Sequence, residues 1–341
     1  MPPKKKTTTD TLYIGIDLGT SRSAIVASTG KRQWVQSYVG WPKDFVAKKM
    51  LGDSVLFGQE ALDNRLSVHL VRPLEQGVIR DGTERDEEAV RELVHHLIEM
   101  VDPGSSQEIY AAVGVPAEAL RVNKLAIRDA VKEYADRLMI VSEPFAVAYG
   151  QEMLNNALFI DIGAGTVDFC IMHGTMPTEE DQRTITTAGD FIDAQLLGRL
   201  QEKYPGASFS ETMVRGFKEG KGFVGSARNR VKVSVPFDGV TRSLDISSEM
   251  SHVCESVIPA IAETAMDLIS GYEPDFQEDV KKNVYLAGGS SLIRGMDDGI
   301  ADALKEYGSF NVSVIEDPLY AGADGALALA QDMPEEYWVD M

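Results

Sequence analysis

The stretch that decides the fold is residues 159–168, which read FIDIGAGTVD. An apolar strand ends in Asp161, a glycine turn follows, and a second strand begins at Thr166. Nearly the same phrase occurs near the start, where residues 13–21 read YIGIDLGTS and carry Asp17 in the corresponding place. Two copies of one strand–turn–strand phrase predict two similar halves, which we expect to face each other across a cleft.

Composition places the chain among ordinary globular proteins. With 341 residues, of which 44% are hydrophobic and 25% charged, it is long enough for about two domains with buried cores. A formal net charge of −20 argues against nucleic acid as a partner, because a phosphate backbone is bound by basic surfaces. Two cysteines without metal-type spacing, and no apolar run of about 18 residues, are typical of a soluble cytoplasmic protein.

Hydrophobic periodicity predicts an α/β fold in which one theme occurs twice. A meander of three strands opens each half, at residues 12–17, 23–28 and 33–38 and again at 157–161, 166–173 and 182–187. Helices and strands alternate after each meander, in an order that differs from a Rossmann sheet. The helices expected include residues 84–101, residues 118–138, a helix from Pro144 capped by Ser142, and residues 248–270 with a kink or break at Pro259.

The repeated order also predicts a domain organisation with a tail, two domains, two inserted subdomains and a returning C-terminal segment. The expected parts are a disordered tail at residues 1–10, a first domain at 11–149 with an insert at about 40–75, a second domain at 150–320 with an insert at about 190–250, and a segment at 321–341 that returns to the first domain.

The two acid–glycine turns are candidate phosphate-binding sites. Glycine lets phosphate oxygens approach backbone N–H groups, and hydroxyl side chains add donors. If the two acids meet, a Mg²⁺ ion held through water would neutralise them. The alternative is two hairpins whose acids only cap turns, but two copies in matching context favour the phosphate site. The candidate residues are Asp17, Gly19, Thr20 and Ser21 in the first turn, and Asp161, Gly163, Ala164, Gly165 and Thr166 in the second.

Two further motifs extend this site. Gly288, Gly289 and Ser290 follow a buried strand, and the glycines would let an adenine–ribose unit lie against the backbone. The alternative is an ordinary strand-to-helix loop. Glu143 begins a helix that joins the two halves, where it either interacts with the helix dipole or orients a water that attacks a γ-phosphoryl group. Glu143 and Asp161 are therefore the candidate catalytic residues.

These motifs, in this order, resemble the actin, heat-shock chaperone and sugar-kinase ATPase superfamily. The matching stretches are residues 17–21 and 161–168 for phosphate, 286–295 for adenosine, and 142–150 and 321–327 for two connecting helices. The resemblance implies an actin-like duplicated ATPase fold, with two domains and four subdomains around a nucleotide cleft. It also implies ATP and ADP as ligands, with Mg²⁺ bound near Asp17 and Asp161.

Within this superfamily, the chain resembles the actin-like filament proteins of magnetosome-forming bacteria. Residues 39–44, 72–78, 142–145 and 333–338 carry that likeness. It implies an ATPase that polymerises with itself into cytoskeletal filaments, positions magnetosome chains alongside their membranes, and works with an adaptor protein. Lys218 and Glu219 resemble the ribose contact of actins, whereas a solvated helix face is the alternative for that pair.

Departures from the relatives limit what the likeness implies. The phosphate-binding lysine of actin has no counterpart in the first turn, and Arg22 is expected to point elsewhere. An apolar insertion loop like that of rod-shape filament proteins is missing, so direct membrane insertion is not expected. A small-molecule kinase or a chaperone-like nucleotide switch that does not polymerise remains an alternative on the same fold.

Overall fold

A computed structural model describes residues 11–79, 83–105, 107–117, 121–226 and 230–341. The predicted tail, residues 1–10, lies outside these ranges. The described strands are β1 (Thr11–Leu18), β2 (Arg22–Ala27), β3 (Arg32–Gln36), β4 (Val39–Pro42), β5 (Leu56–Phe57), β6 (Val68–Val71), β7 (Leu74–Glu75), β8 (Val78–Ile79), β9 (Glu108–Val115), β10 (Arg137–Ser142), β11 (Asn155–Ile162), β12 (Val167–His173), β13 (Gln182–Ile185), β14 (Lys232–Phe237), β15 (Val240–Asp245), β16 (Val284–Ala287), β17 (Val312–Val314) and β18 (Val339–Asp340). The described α-helices are α1 (Phe45–Leu51), α2 (Gly58–Asp63), α3 (Glu84–Met100), α4 (Arg121–Val131), α5 (Glu143–Gly150), α6 (Gly189–Lys203), α7 (Glu211–Lys221), α8 (Ser247–Glu255), α9 (Ile258–Ser270), α10 (Gln277–Lys281), α11 (Met296–Leu304) and α12 (Ala321–Asp332).

The chain forms two compact units, each built on its own sheet. The first unit contains the described residues up to Val115, those from Arg121 to Gln151, and Gly322–Met341. Its sheet has the order β18-β10-β9-β1-β2-β3. The second unit contains Glu152–Ala321 together with Pro116 and Ala117, and its sheet has the order β13-β12-β11-β16-β17.

The two sheets repeat one topology. In the first, β1, β2 and β3 form an antiparallel meander, and β9 and β10 continue from β1 in parallel. In the second, β11, β12 and β13 form the meander, and β16 and β17 continue from β11 in parallel. The duplicated α/β fold predicted from the repeated phrase is therefore confirmed. The domain boundaries proposed from the sequence stay a prediction.

Each unit buries its sheet under helices and has its own core. In the second unit, β11 is buried on both faces, since Ala157, Leu158, Phe159 and Ile160 are all at most 2% exposed. Strands covered on both sides read as continuous apolar runs, which explains the sequence of this strand. In the first unit the apolar stripe of α3 is buried, as its periodicity predicted, and the helix packs on β2 and β3. Among the residues that the structure describes, none of the helices has the length and apolar character needed to span a bilayer.

A small three-stranded sheet, β5-β4-β6, is formed by the residues that follow β3 in the first unit. Helices α1 and α2 accompany it, and we call residues 39–71 the small subdomain. Its core consists of Leu56, Ala61 and Val68. The Asp44 carboxylate caps α1 by accepting hydrogen bonds from the backbone N–H groups of residues 46 and 47, both at 2.9 Å.

One helix prediction was confirmed and two were wrong in detail. The break expected near Pro259 separates α8 from α9, and Pro259 lies in the first turn of α9, where its missing N–H costs nothing. Ser142 precedes α5 but its side chain makes no capping hydrogen bond. The helix expected over residues 118–138 is described only as α4, which ends at Val131, and residues 137–142 are strand β10.

Helices α5 and α12 cross at small residues within the first unit. A Cβ atom built on Gly150 of α5 would lie 2.9 Å from the Cα of Gly325 in α12. A Cβ on Gly325 would overlap the carbonyl oxygen of Ala146. A Cβ on Gly15 in β1 would likewise overlap the backbone of α12. The close packing of α12 on α5 and on the sheet therefore requires glycine at these positions.

The C-terminal residues complete the edge of the first sheet. Strand β18 pairs antiparallel with Arg137 and Leu138 of β10. The Trp338 ring packs against Tyr110 at 5.2 Å between ring centroids, and the Arg137 guanidinium lies 5.1 Å from the Tyr110 ring. The last amide, that of Met341, donates to the carbonyl of Asp136.

Candidate functional site

The first acid–glycine turn connects β1 to β2 in the first unit. Gly19 is required there, because a Cβ atom would overlap the carbonyl oxygen of Arg22. The Gly19 carbonyl accepts a hydrogen bond of 2.6 Å from the Ser37 hydroxyl, which also lies 2.9 Å from the Ser23 hydroxyl. Both serines are fully buried. The buried Ser23–Ser37 pair therefore fixes the turn through the Gly19 carbonyl. The sequence analysis did not predict this pair.

Thr20 connects this turn to a second segment of the first unit. Its side-chain oxygen accepts from the backbone N–H of Gly77 at 3.0 Å, and its carbonyl accepts from Arg72 Nε at 2.8 Å. Gln76 and Gly77 form the turn of the β7–β8 hairpin, and both have positive φ, at 50° and 70°. Thr20 is buried, and its hydroxyl proton can still be donated to another acceptor.

Asp17 and Glu143 lie at one edge of the first sheet. Asp17 is the parallel neighbour of Gly114 in β9, which is in turn the neighbour of Val141 in β10. Glu143 follows β10, and its Cγ would lie 3.2 Å from a Cβ on Gly114. The bare backbone of Gly114 thus provides the space that the Glu143 side chain needs. Glycine also lies against the other acid, because a Cβ on Gly322 would be 3.1 Å from Asp17 Oδ2.

Arg22 points away from the first turn, as expected. Its guanidinium carbon lies 4.3 Å from the centroid of the Trp34 ring, a cation–π geometry. Ser21, between the turn and β2, is half-buried, and its carbonyl accepts from the Ser37 amide at 3.0 Å.

The second turn, residues 163–166, is held by helix α6 of the second unit. The Gly163 amide donates to the Thr166 carbonyl at 3.0 Å, which closes the turn. The Gly163 carbonyl accepts from the Gly189 amide at 3.2 Å, and the Ala164 carbonyl accepts from the Asp190 amide at 2.7 Å. These donors belong to the first turn of α6, which otherwise has no side-chain cap. The helix therefore uses its free N–H groups to fix the turn.

The third glycine motif contacts this same turn. Ser290 donates its hydroxyl hydrogen to the Gly163 carbonyl at 3.0 Å, although 127 residues separate them. Gly288 has a φ of 77°, and a Cβ there would overlap the Asp161 carboxylate and lie 2.6 Å from the Ile162 carbonyl oxygen. Asp161 therefore rests on the bare backbone of Gly288. Gly289 follows at the start of a 3₁₀ turn, with Leu319 packed 3.5 Å from where its Cβ would be.

Asp168, the last residue of the opening stretch, has a structural role in the second unit. It is 1% exposed, and its Oδ1 accepts from the Thr184 hydroxyl at 2.6 Å and from the Ala117 amide at 2.9 Å. Asp168 is the cross-strand neighbour of Asp161. The β12 side of the hairpin is therefore fixed by hydrogen bonds to Asp168, while the β11 side carries Asp161, the candidate Mg²⁺-binding residue.

Lys218 and Glu219 of α7 lie on different faces of their helix. The Lys218 side chain is 7% exposed, and its Nζ lies 2.8 Å from the Gly189 carbonyl and 2.9 Å from Asp193 Oδ1. Arg215 Nε also lies 3.2 Å from Asp193 Oδ2. For Lys218 a solvated helix face is wrong, because the amine supports the α6 turn that holds residues 163 and 164. Glu219 is exposed.

Both turns therefore present carboxylate oxygens, backbone amides and hydroxyls, the groups that suit phosphate and Mg²⁺. Within the described residues, no three His, Cys, Asp or Glu side chains gather as a metal-binding group. Mg²⁺ needs no such group, since it is commonly held by one or two carboxylates together with waters and substrate phosphates. Asp17 and Asp161, each resting on a glycine, fit that description.

A duplicated sheet with an acid–glycine turn after the first strand of each meander defines an actin-like protein. The family model described as MreB/Mbl protein matches residues 11–336, and the chain belongs to this family. It is 37% identical over 330 residues to the actin-like protein MamK of Magnetospirillum gryphiswaldense, which covers 97% of this chain and 92% of the relative.

Two solved structures resemble the chain along nearly its whole length. The MamK double helical filament matches with a TM-score of 0.93 and 36% identity, over 95% of this chain and all of the other. A non-polymerising MamK variant bound to AMPPNP matches with a TM-score of 0.72 and 35% identity, again over 95% and 100%. The actin-like fold and the resemblance inferred from the order of the motifs are confirmed.

Proposed function

We propose that this protein is an ATPase that polymerises with itself into cytoskeletal filaments in the cytoplasm. The filaments would organise and position magnetosome chains, with the help of an adaptor protein. The likeness to a MamK filament supports self-association, and the likeness to an AMPPNP-bound relative supports a nucleoside triphosphate as the ligand. The two compact units would be the two domains, with inserts near residues 40–75 and 190–250.

The observation that carries the nucleotide proposal is the fixed second turn. The Gly163 carbonyl accepts hydrogen bonds from Gly189 and Ser290, and the Ala164 carbonyl accepts one from Asp190. With the carbonyls occupied by protein donors, the turn is held rigidly before any ligand arrives, which lowers the entropy lost on binding. We infer that Ala164, Gly165 and Thr166 receive the β- and γ-phosphates, and that Gly19, Thr20 and Ser21 do the same in the first unit.

The adenosine end of ATP would lie beside the third motif. Gly288 and Gly289 offer backbone without side chains, and Ser290 links them to the phosphate turn. We infer that Lys218 acts on the phosphate turn by fixing Gly189, while Glu219, from the exposed face, reaches the ribose. Mg²⁺, bound through water to Asp17 and Asp161, would neutralise charge on the phosphates.

Glu143 is proposed as the base that positions the attacking water. Its carboxylate would accept a proton from that water while the water oxygen bonds to the γ-phosphorus and ADP leaves. The space over Gly114 lets this side chain lie at the same sheet edge as Asp17. Glu143 is also the first residue of α5, where a carboxylate interacts favourably with the helix dipole.

Sedimentation with ATP and Mg²⁺, together with phosphate release, tests the proposal. The unaltered protein should pellet and release phosphate. Glu143→Ala should pellet but release phosphate at least about 100-fold more slowly, since a general base contributes about 10²–10⁴-fold. Glu133→Gln, which changes an exposed acid, is the matched control and should behave as the parent.

Three results would contradict parts of this proposal. A protein that stays in the supernatant at every concentration would remove the filament. ADP production by a monomer that depends on a small acceptor would indicate a kinase instead. Normal phosphate release by Glu143→Ala would remove Glu143 from the catalytic role.

A further inference from the structure

A chain of hydrogen bonds connects a buried lysine to the second turn through two peptide groups. Lys218 Nζ donates to the Gly189 carbonyl at 2.8 Å. That carbonyl shares its peptide group with the Asp190 amide, which donates to the Ala164 carbonyl at 2.7 Å. The Ala164 carbonyl in turn shares its peptide group with the Gly165 amide. We call this chain, from Lys218 Nζ to the Gly165 N–H, the relay.

The relay fixes the direction in which the amides of the second turn point. In a trans peptide group the N–H and the C=O point in opposite directions, and the peptide bonds of this turn are trans. Because the Ala164 carbonyl points at α6, the Gly165 N–H points away from that helix. The Ala164 N–H does the same, because the Gly163 carbonyl of its peptide group accepts from Gly189 and Ser290. Within the part of the chain that the structure describes, neither amide donates to a protein acceptor, so both can bind an anion.

The charge that starts the relay is shielded from water. The Lys218 side chain is 7% exposed, and the side chain of Asp193, its ion-pair partner, is 9% exposed. Water therefore screens this positive charge weakly, and hydrogen bonds in a chain polarise one another in such surroundings. Each peptide group of the relay has its C=O towards Lys218 and its N–H towards the turn. The lysine charge therefore makes the Gly165 N–H a stronger donor.

Arg215 supports the relay from the same face of α7. It precedes Lys218 by three residues, a spacing that places two side chains side by side on a helix. Its guanidinium lies 3.2 Å from Asp193 Oδ2 and 3.4 Å from Asp190 Oδ1. Two cations of α7 thus face two carboxylates at the start of α6. Without Arg215, the Asp190 carboxylate would lose this countercharge, and its negative charge would disfavour an anion at the second turn.

We propose that Lys218 and Arg215 set the affinity of the second turn for phosphate without contacting the nucleotide. Lys218 acts through the relay, and Arg215 acts by holding Asp190 and Asp193 in place around it. Both are positioning residues. This role differs from the ribose contact that the likeness to actins implies for Lys218. The inference rests on the proposed function, in which the second turn receives the β- and γ-phosphates of ATP.

The dissociation constants of AMP, ADP and ATP test this proposal, because AMP has the base and the ribose but lacks the β- and γ-phosphates. Each is measured with Mg²⁺ by competition against a fluorescent ATP analogue, with AMP titrated to millimolar concentrations. In Lys218→Met the constants for ADP and ATP should rise about tenfold or more, while that for AMP stays within about twofold of the parent. Arg215→Met should show the same pattern with a rise of about threefold or more, and Arg215→Lys, which keeps the charge, should stay within about twofold of the parent.

The matched control is Lys221→Met, which removes one positive charge from the same helix. Lys221 is exposed and donates to the Lys232 carbonyl instead of to α6. All three dissociation constants of this variant should equal those of the parent. Because Lys218→Met removes a buried charge, binding is measured well below its melting temperature. The Arg215 side chain is 16% exposed, so its variants give a second test at a smaller cost in stability.

The outcomes separate the relay from the nucleotide site itself. A parent that binds neither ADP nor ATP refutes the nucleotide site and the relay together. A parent that binds both, with ADP and ATP bound equally well by Lys218→Met, refutes the relay alone. AMP weakened as much as ADP in Lys218→Met would assign Lys218 to the ribose or the base and overturn the proposal. An equal loss in Lys221→Met would reduce the effect to net charge and overturn it as well.

Discussion

Replacing Gly325 by alanine should destabilise the first unit, although alanine is the better helix former. A Cβ at this position would overlap the Ala146 carbonyl oxygen and lie 3.2 Å from the Val147 amide nitrogen, both in α5. The helices would have to separate by about 1.5 Å before the contact became ordinary. Overpacking of this kind costs about 1–3 kcal/mol, and the helix preference of alanine returns up to about 1 kcal/mol. Because the overlap is with backbone atoms, we take the upper end of the overpacking cost and expect the free energy of unfolding to fall by about 2 kcal/mol.

Gly216→Ala is the control, because Gly216 is also helical but a Cβ there would meet nothing within 4 Å. This variant should raise the free energy of unfolding by up to about 1 kcal/mol. Urea unfolding followed by far-UV circular dichroism measures both. Opposite signs for the two variants would support the close crossing of α5 and α12. A Gly325→Ala protein as stable as Gly216→Ala would refute it.

Two further perturbations test other parts of the molecule. Lys218→Met should lower the free energy of unfolding by about 3 kcal/mol, because it leaves the buried Asp193 carboxylate with less positive charge beside it. The control Glu219→Gln changes an exposed residue and should alter the free energy of unfolding by less than about 0.5 kcal/mol. Equal urea midpoints for the two variants would show that the Lys218–Asp193 pair is not buried. Burial lowers the pKa of His96, whose ring stacks on Phe57 at 4.0 Å, so the folded state holds this ring neutral. The unfolded chain takes up that proton as pH falls below about 6.5, and melting temperature should therefore drop from about pH 7 to pH 5.5, less steeply in His96→Phe; parallel curves for the two proteins would contradict this.

Local sequence signals predicted most of the secondary structure. Apolar runs located the strands of both sheets except β18. The Asp238-Gly239 pair is typical of a hairpin turn, and it joins β14 to β15 with positive φ at both residues. The repeated acid–glycine phrase predicted the duplication, because a turn of this type depends on residues close together in the chain.

Contacts between distant segments left no such signal. Thr20 meets Gly77 across 57 residues, and Ser290 meets Gly163 across 127. Gly114 lies in an ordinary strand sequence. Only the structure shows that a side chain at this position would crowd Glu143. Lys218 illustrates the same limit, since the spacing of charges on α7 does not distinguish a buried lysine from a solvated one.

The two-residue strand β18 covers the start of the outer edge of β10, at Arg137 and Leu138, and the Trp338 ring packs against Tyr110 beside it. An uncovered strand edge offers unpaired N–H and C=O groups to any other chain, which is a common start of aggregation. The C-terminal residues therefore keep the first sheet from joining sheets of neighbouring molecules through its backbone. A chain shortened before Trp338 would aggregate through this edge whatever nucleotide is present. Such an aggregate would pellet in a sedimentation assay as a filament does, although it is not a filament.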